Sequence, residues 1–165
     1  SRPAHERLQP TDLLALLDNV LALSGKELQH HLILVERAGS SDLPLVQGNP
    51  DHLRQVLMNL VLNAIDAMPG GGTLRITTRL DQLQPAGGGL PQAAVRIEIG
   101  DTGVGMPAEV QAHLFEPFFS TKEQAAGLGL SISYNIVEAH GGQIAIASEM
   151  GSGSTVSILL PLAGH

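Results

Sequence analysis

Apolar residues recur at three- and four-residue spacing in two long stretches of the chain. Leu13, Leu14, Leu16, Leu17, Val20 and Leu21 share one broad face behind Thr11 or Asp12, either of which can cap a helix, and Gly25 falls near the end of that pattern. Leu53, Val56, Leu57, Leu60, Val61, Ala64 and Ile65 form a second face, predicting a helix from about 51 to 68. Asn49 or Asp51 caps it, Pro50 suits its first turn, and PGGG at 69–72 stops it. A third helix is expected from about 127 to 140. It ends at His140-Gly141-Gly142, where a partial positive charge on the imidazole would suit the helix dipole. A short helix over 107–114 follows a Gly-rich turn. Between these lie short β-type runs at 32–37, 43–47, 73–80, 93–101, 143–149 and 154–162. A long exposed turn (81–92) and the tight turn MGSG join two pairs of them. Because most adjacent strands are joined by short turns, the sheet should be mixed and largely antiparallel. The helices should gather on one face of it, giving a two-layer α/β sandwich.

Residues 1–10 are polar and without period, and read as a linker or the frayed end of a preceding domain; 11–165 then form one domain. An apolar fraction of 43% supplies a full core, and a charged fraction of 15% excludes disorder by excess charge. The net charge of −7 argues against nucleic acid or an anionic membrane as the main partner. No apolar run approaches the roughly 18 residues of a spanning helix, and no signal peptide opens the sequence, so a cytoplasmic location is the simplest expectation. With 0 Cys there is no thiolate metal site and no Cys nucleophile. All 3 Phe (Phe115, Phe118 and Phe119) fall within five positions, which points to a local task or a small hydrophobic anchor for a loop.

Four features carry candidate chemistry. Asn59 and Asn63 are four apart and share one side of their helix. Alone they describe an amphipathic helix; functionally, a carboxamide oxygen suits a hard cation such as Mg²⁺. Asp101-Thr102-Gly103-Val104-Gly105 follows a strand directly. Two glycines there admit a ligand close to the backbone, and the Asp carboxylate can accept from an exocyclic amine; the plain alternative is an Asx turn. Gly127-Leu128-Gly129-Leu130 opens a helix whose free N–H groups suit phosphate oxygens, or is simply a flexible start. Gly151-Ser152-Gly153-Ser154-Thr155 alone is a hairpin turn.

Taken in order, NLVLNA, DTGVGM, EPFF-STK, GLGLSIS and GSGST resemble the N, G1, F, G2 and G3 boxes of bacterial sensor histidine kinases, over about residues 11–162. The chain resembles their catalytic ATP-binding domain, of the GHKL superfamily with the Bergerat fold. NAIDAM and EPFFSTK are similar to the nitrogen-regulatory and oxygen-sensing branch. The resemblance implies that Asn63 holds a Mg²⁺ bridging the ATP phosphates and that Asp101 binds the adenine amine. Gly103 and Gly105 would give room beside the nucleotide, with Met106, Leu128 and Leu130 completing its contacts. Residues 107–127 would form a mobile ATP lid hinged at Phe118 and Phe119, with Lys122 near the phosphates. Gly127 and Gly129 would line the triphosphate, and Thr155 would support a water network around adenine.

The sequence departs from the family pattern at three places. Ala125-Ala126 stands where many members have Gly-Thr, and Asp66 where many have a basic residue. Asn59 stands where superfamily ATPases such as topoisomerases and heat-shock chaperones place a Glu that activates water. A carboxamide is a poor general base, which favours phosphoryl transfer to an external acceptor over fast hydrolysis. By resemblance the acceptor is a histidine on an upstream helical dimerisation domain, and the next partner a response regulator receiver domain; the isolated ATP domain is expected to be monomeric. His5-Glu6 with Pro10 is only a loose match to a phosphoacceptor motif, since no helical hairpin fits before residue 11, so the chain reads as an excised part. Two other readings remain. One is a nucleotide-regulated module or serine kinase of the anti-sigma-factor type. The other is a dinucleotide-binding oxidoreductase, suggested by Gly103-x-Gly105-x-x-Ala108 but lacking the strand and acidic residue that should follow. There is no Walker A motif.

Overall fold

The computed structural model describes residues 7–116 and 127–164, with side chains in the last helix from Leu130 onward. Its elements in chain order are β1 (Gln9–Thr11), α1 (Leu13–Leu23), α2 (Gly25–His30), β2 (Ile33–Gly39), β3 (Val46–Gly48) and α3 (Pro50–Asp66). Then come β4 (Gly72–Leu83), β5 (Gln92–Gly100), α4 (Ala108–Gln111), α5 (Gly127–Ala139), β6 (Gln143–Glu149) and β7 (Gly153–Pro161). Five strands form one sheet in the order β2-β4-β5-β7-β6. Only the β2–β4 pair is parallel; β4–β5, β5–β7 and β6–β7 are antiparallel. The expected mixed, largely antiparallel sheet under a helical layer is therefore present.

Helix α3 is the centre of that layer. Asn49 accepts at Oδ1 from the His52 N–H (3.1 Å), and Pro50 occupies the first turn, where its missing N–H costs nothing. Leu53, Val56, Leu57, Leu60, Val61, Ala64 and Ile65 are all buried, the face that the spacing predicts. They pack between α1, α5 and the inner face of the sheet, where Leu74, Ile76, Val95, Ile97, Ile158 and Leu160 point. The outer sheet face carries Arg75 paired with Glu36, and Arg79 and Arg96 both on Asp81, whose carboxyl the Arg96 guanidinium holds below its ordinary value. That face is solvated, which completes the two-layer arrangement.

Several expectations are corrected. The run at 43–47 does not join the main sheet: β3 pairs antiparallel with β1 in a separate two-stranded ribbon, Gln9 opposite Gly48 and Thr11 opposite Val46. Thr11, in a segment without local period, is buried and donates its hydroxyl to the Gly48 carbonyl (3.1 Å). The first helix stops at Leu23, and a second begins at Gly25. The 107–114 helix shortens to the four residues of α4. The exposed turn at 81–92 contracts because β4 runs on to Leu83 and β5 starts at Gln92.

His140 ends α5 as expected, but as a neutral group. Its Nδ1 lies 2.7 Å from the Ile136 carbonyl, and its Nε2 accepts from the Asn49 N–H at 3.0 Å. An imidazole that donates through one nitrogen and accepts through the other carries a single proton. Burial pushes its pKa below the ordinary value, so desolvation outweighs the helix dipole. The bond also ties the end of α5 to the start of α3, and the two helices run in opposite directions from there.

Candidate functional site

At the other end of that helix pair, the C-terminal half of α3 and the N-terminal turn of α5 border a cavity of about 520 Å³. Its floor comes from the sheet through Ile99, Ile146 and Val156, and its rim from Val104, Met106 and Met150. Asn63, Asp66 and Asp101 are its acidic or amide groups. The lining is mostly apolar with a few convergent polar groups, the composition of a small-molecule site.

Asp101 sits just past β5, held by the neighbouring strand β7. Its backbone N–H donates to the Ser154 carbonyl (2.8 Å). Its Oδ1 accepts from the N–H of Gly103 (2.9 Å) and of Ser154 (3.3 Å). Oδ2 accepts no hydrogen bond among the described residues and is left for a ligand. Burial raises the carboxyl's pKa and the two N–H donors oppose that rise, with burial the larger effect. The turn that follows is packed against α3 and the β6–β7 hairpin so closely that side chains do not fit. A Cβ on Gly103 would lie 2.2 Å from the Ala67 carbonyl oxygen, and one on Gly105 2.1 Å from that of Glu149, at a φ of +75° that disfavours any side chain. Thr102 links the turn to Met68 and to β4, accepting from the Thr73 N–H at 3.0 Å.

Asn63 stands one helical turn from the end of α3, in the cavity wall. Its Nδ2 is buried and has no hydrogen-bond partner among the described residues. Buried amides are normally satisfied, so an unpartnered one in a cavity wall marks a group waiting for a ligand. Asn59, one turn earlier, is not in the cavity wall; its Nδ2 donates to the Ser133 hydroxyl at 3.3 Å and bridges α3 to α5. Gly127, Leu128 and Gly129 open α5, and Leu130, 5% exposed, lines the cavity. The helix thus presents its N-terminal end, where backbone N–H groups lack intrahelical partners, towards the same space as Asn63 and Asp101.

Thr155 needs correction. It pairs with Gly100 on β5, and its hydroxyl lies on the sheet face away from the cavity, 3.0 Å from where a Gly100 Cβ would be. Ser154, one position earlier, lines the cavity and contacts Asp101. The alternation along β7 carried the signal: Val156, Ile158 and Leu160 are the inward set, and residue 154 shares their parity. Val110 and Leu114 also line the cavity and were not anticipated. Phe115 packs on the core and stacks on Tyr134 at 5.4 Å between centroids. Phe118, Phe119 and Lys122 lie outside the described residues, as does the 117–126 part of the expected 107–127 lid.

A model of the "Histidine kinase-, DNA gyrase B-, and HSP90-like ATPase" family matches residues 48–164, from the last residue of β3 to beyond β7 and across every wall of this cavity. The chain belongs to that family. Among curated relatives of this ATPase family, the sensor histidine kinase ZraS of Escherichia coli (strain K12) is 38% identical over 161 residues, 98% of this chain and 32% of ZraS. The chain therefore spans about a third of the length of that curated relative. Among solved structures, the catalytic domain of histidine kinase ThkA aligns with a TM-score of 0.80 at 28% identity, covering 96% of this chain and 99% of that one. ThkA has also been solved in complex with the response regulator protein TrrA. Full-length ShkA in complex with AMPPNP aligns with a TM-score of 0.76 at 29% identity, over 96% of this chain and 32% of ShkA. Membership in this ATPase family accords with the cavity's chemistry, an amine acceptor at one end and a helix N-terminus at the other. No helix among the described residues is long and apolar enough to cross a membrane.

Proposed function

We propose that this ATPase-family domain binds MgATP in the cavity and donates the terminal phosphate to a histidine on an upstream helical dimerisation domain, as the kinase part of a two-component sensor. The observation that carries the reading is Asp101: one carboxylate oxygen is fixed by two backbone N–H groups and the other has no partner among the described residues, on the wall of an apolar cavity. That arrangement orients an acceptor towards an exocyclic amine such as that of adenine. The base would lie over Ile99, Met106 and Ile146, and the phosphates would run towards Asn63 and the start of α5.

Asn63 fits a magnesium ion in its donor chemistry. Its Nδ2 is buried with no partner among the described residues, so the amide is free to turn its oxygen to the cavity, and Mg²⁺ takes one or two protein oxygens when phosphates and water supply the rest. Bound there, Mg²⁺ would neutralise phosphate charge. The chain's own residues then orient the nucleotide: Asp101 fixes the base, Gly103 and Gly105 allow close approach, and the N–H groups from Gly127 to Leu130 face the phosphates. Lys122 is assigned to the phosphates by resemblance alone. Asn59 commits an amide hydrogen to Ser133 and is no base, so hydrolysis by the domain alone is expected to be slow. The relatives named sensor histidine kinases support the acceptor, and the ThkA complex supports a response regulator receiver domain as downstream partner. A cytoplasmic setting follows from that chemistry, since ATP is the donor.

Calorimetry with ATP in the presence and absence of Mg²⁺ tests the reading. One site should appear, and Asn63→Ala should weaken MgATP binding far more than binding of metal-free ADP. No heat and no shift in melting temperature with MgATP would refute it.

A further inference from the structure

Met106 is the residue at which the cavity wall passes from the Asp101 turn into α4, and its backbone is held on both sides. Its N–H donates to the Ser148 hydroxyl at 2.8 Å. Its carbonyl accepts from Gln111 Nε2 at 2.9 Å, and the same Nε2 also donates to the Ser148 carbonyl at 3.0 Å. Helix α4 adds little polar anchorage of its own, having four residues, none buried, and no side-chain cap; Met106 and Val110 pack on the core, and the Gly151 N–H holds the Val104 carbonyl at 2.8 Å. Ser148 reaches further. Its hydroxyl is 2.7 Å from that of Ser154 and 3.3 Å from the Gly153 carbonyl, and Ser154 is the residue whose N–H holds Asp101.

We propose that Ser148 and Gln111 are positioning residues for the base end of the cavity. They clamp both polar groups of Met106 to the β6–β7 hairpin, and Ser148 sets the direction of the Ser154 hydroxyl beside Asp101. A serine hydroxyl has one proton and two acceptor positions. Accepting from the Met106 N–H, Ser148 has one proton for two neighbours, the Gly153 carbonyl at 3.3 Å and the Ser154 hydroxyl at 2.7 Å; in this account it goes to Ser154, across the shorter contact. The Ser154 proton is then free to point into the cavity. An acceptor at Asp101 and a donor at Ser154 together match adenine, whose amine and adjacent ring nitrogen present a donor and an acceptor. A hypoxanthine base presents the opposite order. Gln111 and Ser148 touch neither base nor phosphate in this account; they act through Met106, Ser154 and Asp101.

This inference rests on the nucleotide reading above, and the test separates the two. Calorimetry on the 165-residue chain compares MgATP with MgITP for the parent, Ser148→Ala, Ser148→Thr and Gln111→Glu. Gln111→Glu is isosteric and lacks both donors; Ser148→Thr keeps the hydroxyl. Each of Ser148→Ala and Gln111→Glu should raise the Kd for MgATP by roughly 3- to 10-fold, the scale of one or two hydrogen bonds. Ser148→Ala should also narrow the ATP-over-ITP preference, and Ser148→Thr should restore both. Amide exchange at Met106, measured without nucleotide, should accelerate in the two damaging variants and stay slow in Ser148→Thr. If Ser148→Ala does not fold, Gln111→Glu, on the four-residue helix, carries the affinity and exchange readouts by itself. Parent binding with unchanged affinity, selectivity and Met106 exchange in the variants would overturn the positioning role alone. Absence of binding by the parent would overturn both readings.

Discussion

Replacing Asp101 by Asn tests the reading of the base most directly, because the structure dictates which way the amide must turn. The N–H groups of Gly103 and Ser154 both donate to Oδ1. An Asn side chain keeps those bonds only by leaving its oxygen there, so its NH₂ takes the place of the unpartnered Oδ2. A donor then meets the donor of the adenine amine. The lost bond is one to a charged acceptor, worth about 1.5–3 kcal/mol, which is roughly 10- to 150-fold in Kd. An inosine nucleotide carries a carbonyl at that position and can accept from the new NH₂, so the ATP-over-ITP ratio should collapse or invert. The fold should not suffer. Burial raises the Asp101 carboxyl, which means its charge is desolvated at cost, and a neutral amide of the same size removes that cost. Melting temperature without ligand should therefore hold or rise while MgATP affinity falls. Titration calorimetry with MgATP and MgITP, paired with thermal unfolding, reads both quantities. An Asp101→Asn variant that binds MgATP as tightly as the parent, or keeps the parent's preference over MgITP, would refute the assignment of Asp101 as the reader of the base.

Protonation takes away the charge that makes the Asp101 Oδ2 a strong acceptor and adds a donor hydrogen, so MgATP affinity should fall as pH drops through the carboxyl's raised value, above the ordinary 3.8; Asp101→Asn measured in parallel should show only the nucleotide's own titration. His140 gives the opposite kind of pH dependence, in stability. Its folded pKa lies below 6.5, so the unfolded chain takes up a proton that the folded chain refuses; its contribution is complete above 6.5 and is lost as pH falls towards the folded value. His140→Ala should cost about 1–3 kcal/mol by leaving the Asn49 N–H unpaired, and should flatten that acid slope in urea unfolding series. Gly105→Ala should lose roughly 1–2 kcal/mol from backbone conformation alone, more from the contact with Glu149, and MgATP binding with it. Gly87→Ala, where a Cβ meets nothing within 4 Å, should unfold at the parent's urea midpoint.

Local periodicity carried most of the helical layer. The buried face of α3 is legible residue by residue because a 17-residue helix repeats its apolar spacing nearly five times. Strand β6 is legible at both ends because a Gly pair and a tight turn bracket it. What local pattern does not hold is pairing between distant segments. Strand β1 has three residues and no period; it exists because β3, thirty-odd positions later, supplies its hydrogen bonds. The protonation of His140 depends on Asn49, far away in sequence, and on burial, neither of which a helix end reveals. At the site, Asp101, Gly105, Met106 and Leu130 meet as their motifs suggest. The error at Thr155 came from choosing by residue type over strand parity, and Ser148 was invisible because its partners are Met106 N–H and Ser154 on other segments.

The contact that seats Asp101 joins residues 53 positions apart. It forms only when β5 and β7 have found their register, from Ala94 opposite Pro161 to Gly100 opposite Thr155. Closing so long a loop is slow, and the entropy is spent before the contacts repay it. A chain that has folded its helices but not zipped its central strand pair therefore has no acceptor for a base. Ligand at a hundredfold over its Kd would deepen the native well by about 2.7 kcal/mol and leave such an intermediate untouched. On the nucleotide reading, ligand therefore favours by mass action only those copies in which this strand pair is in register.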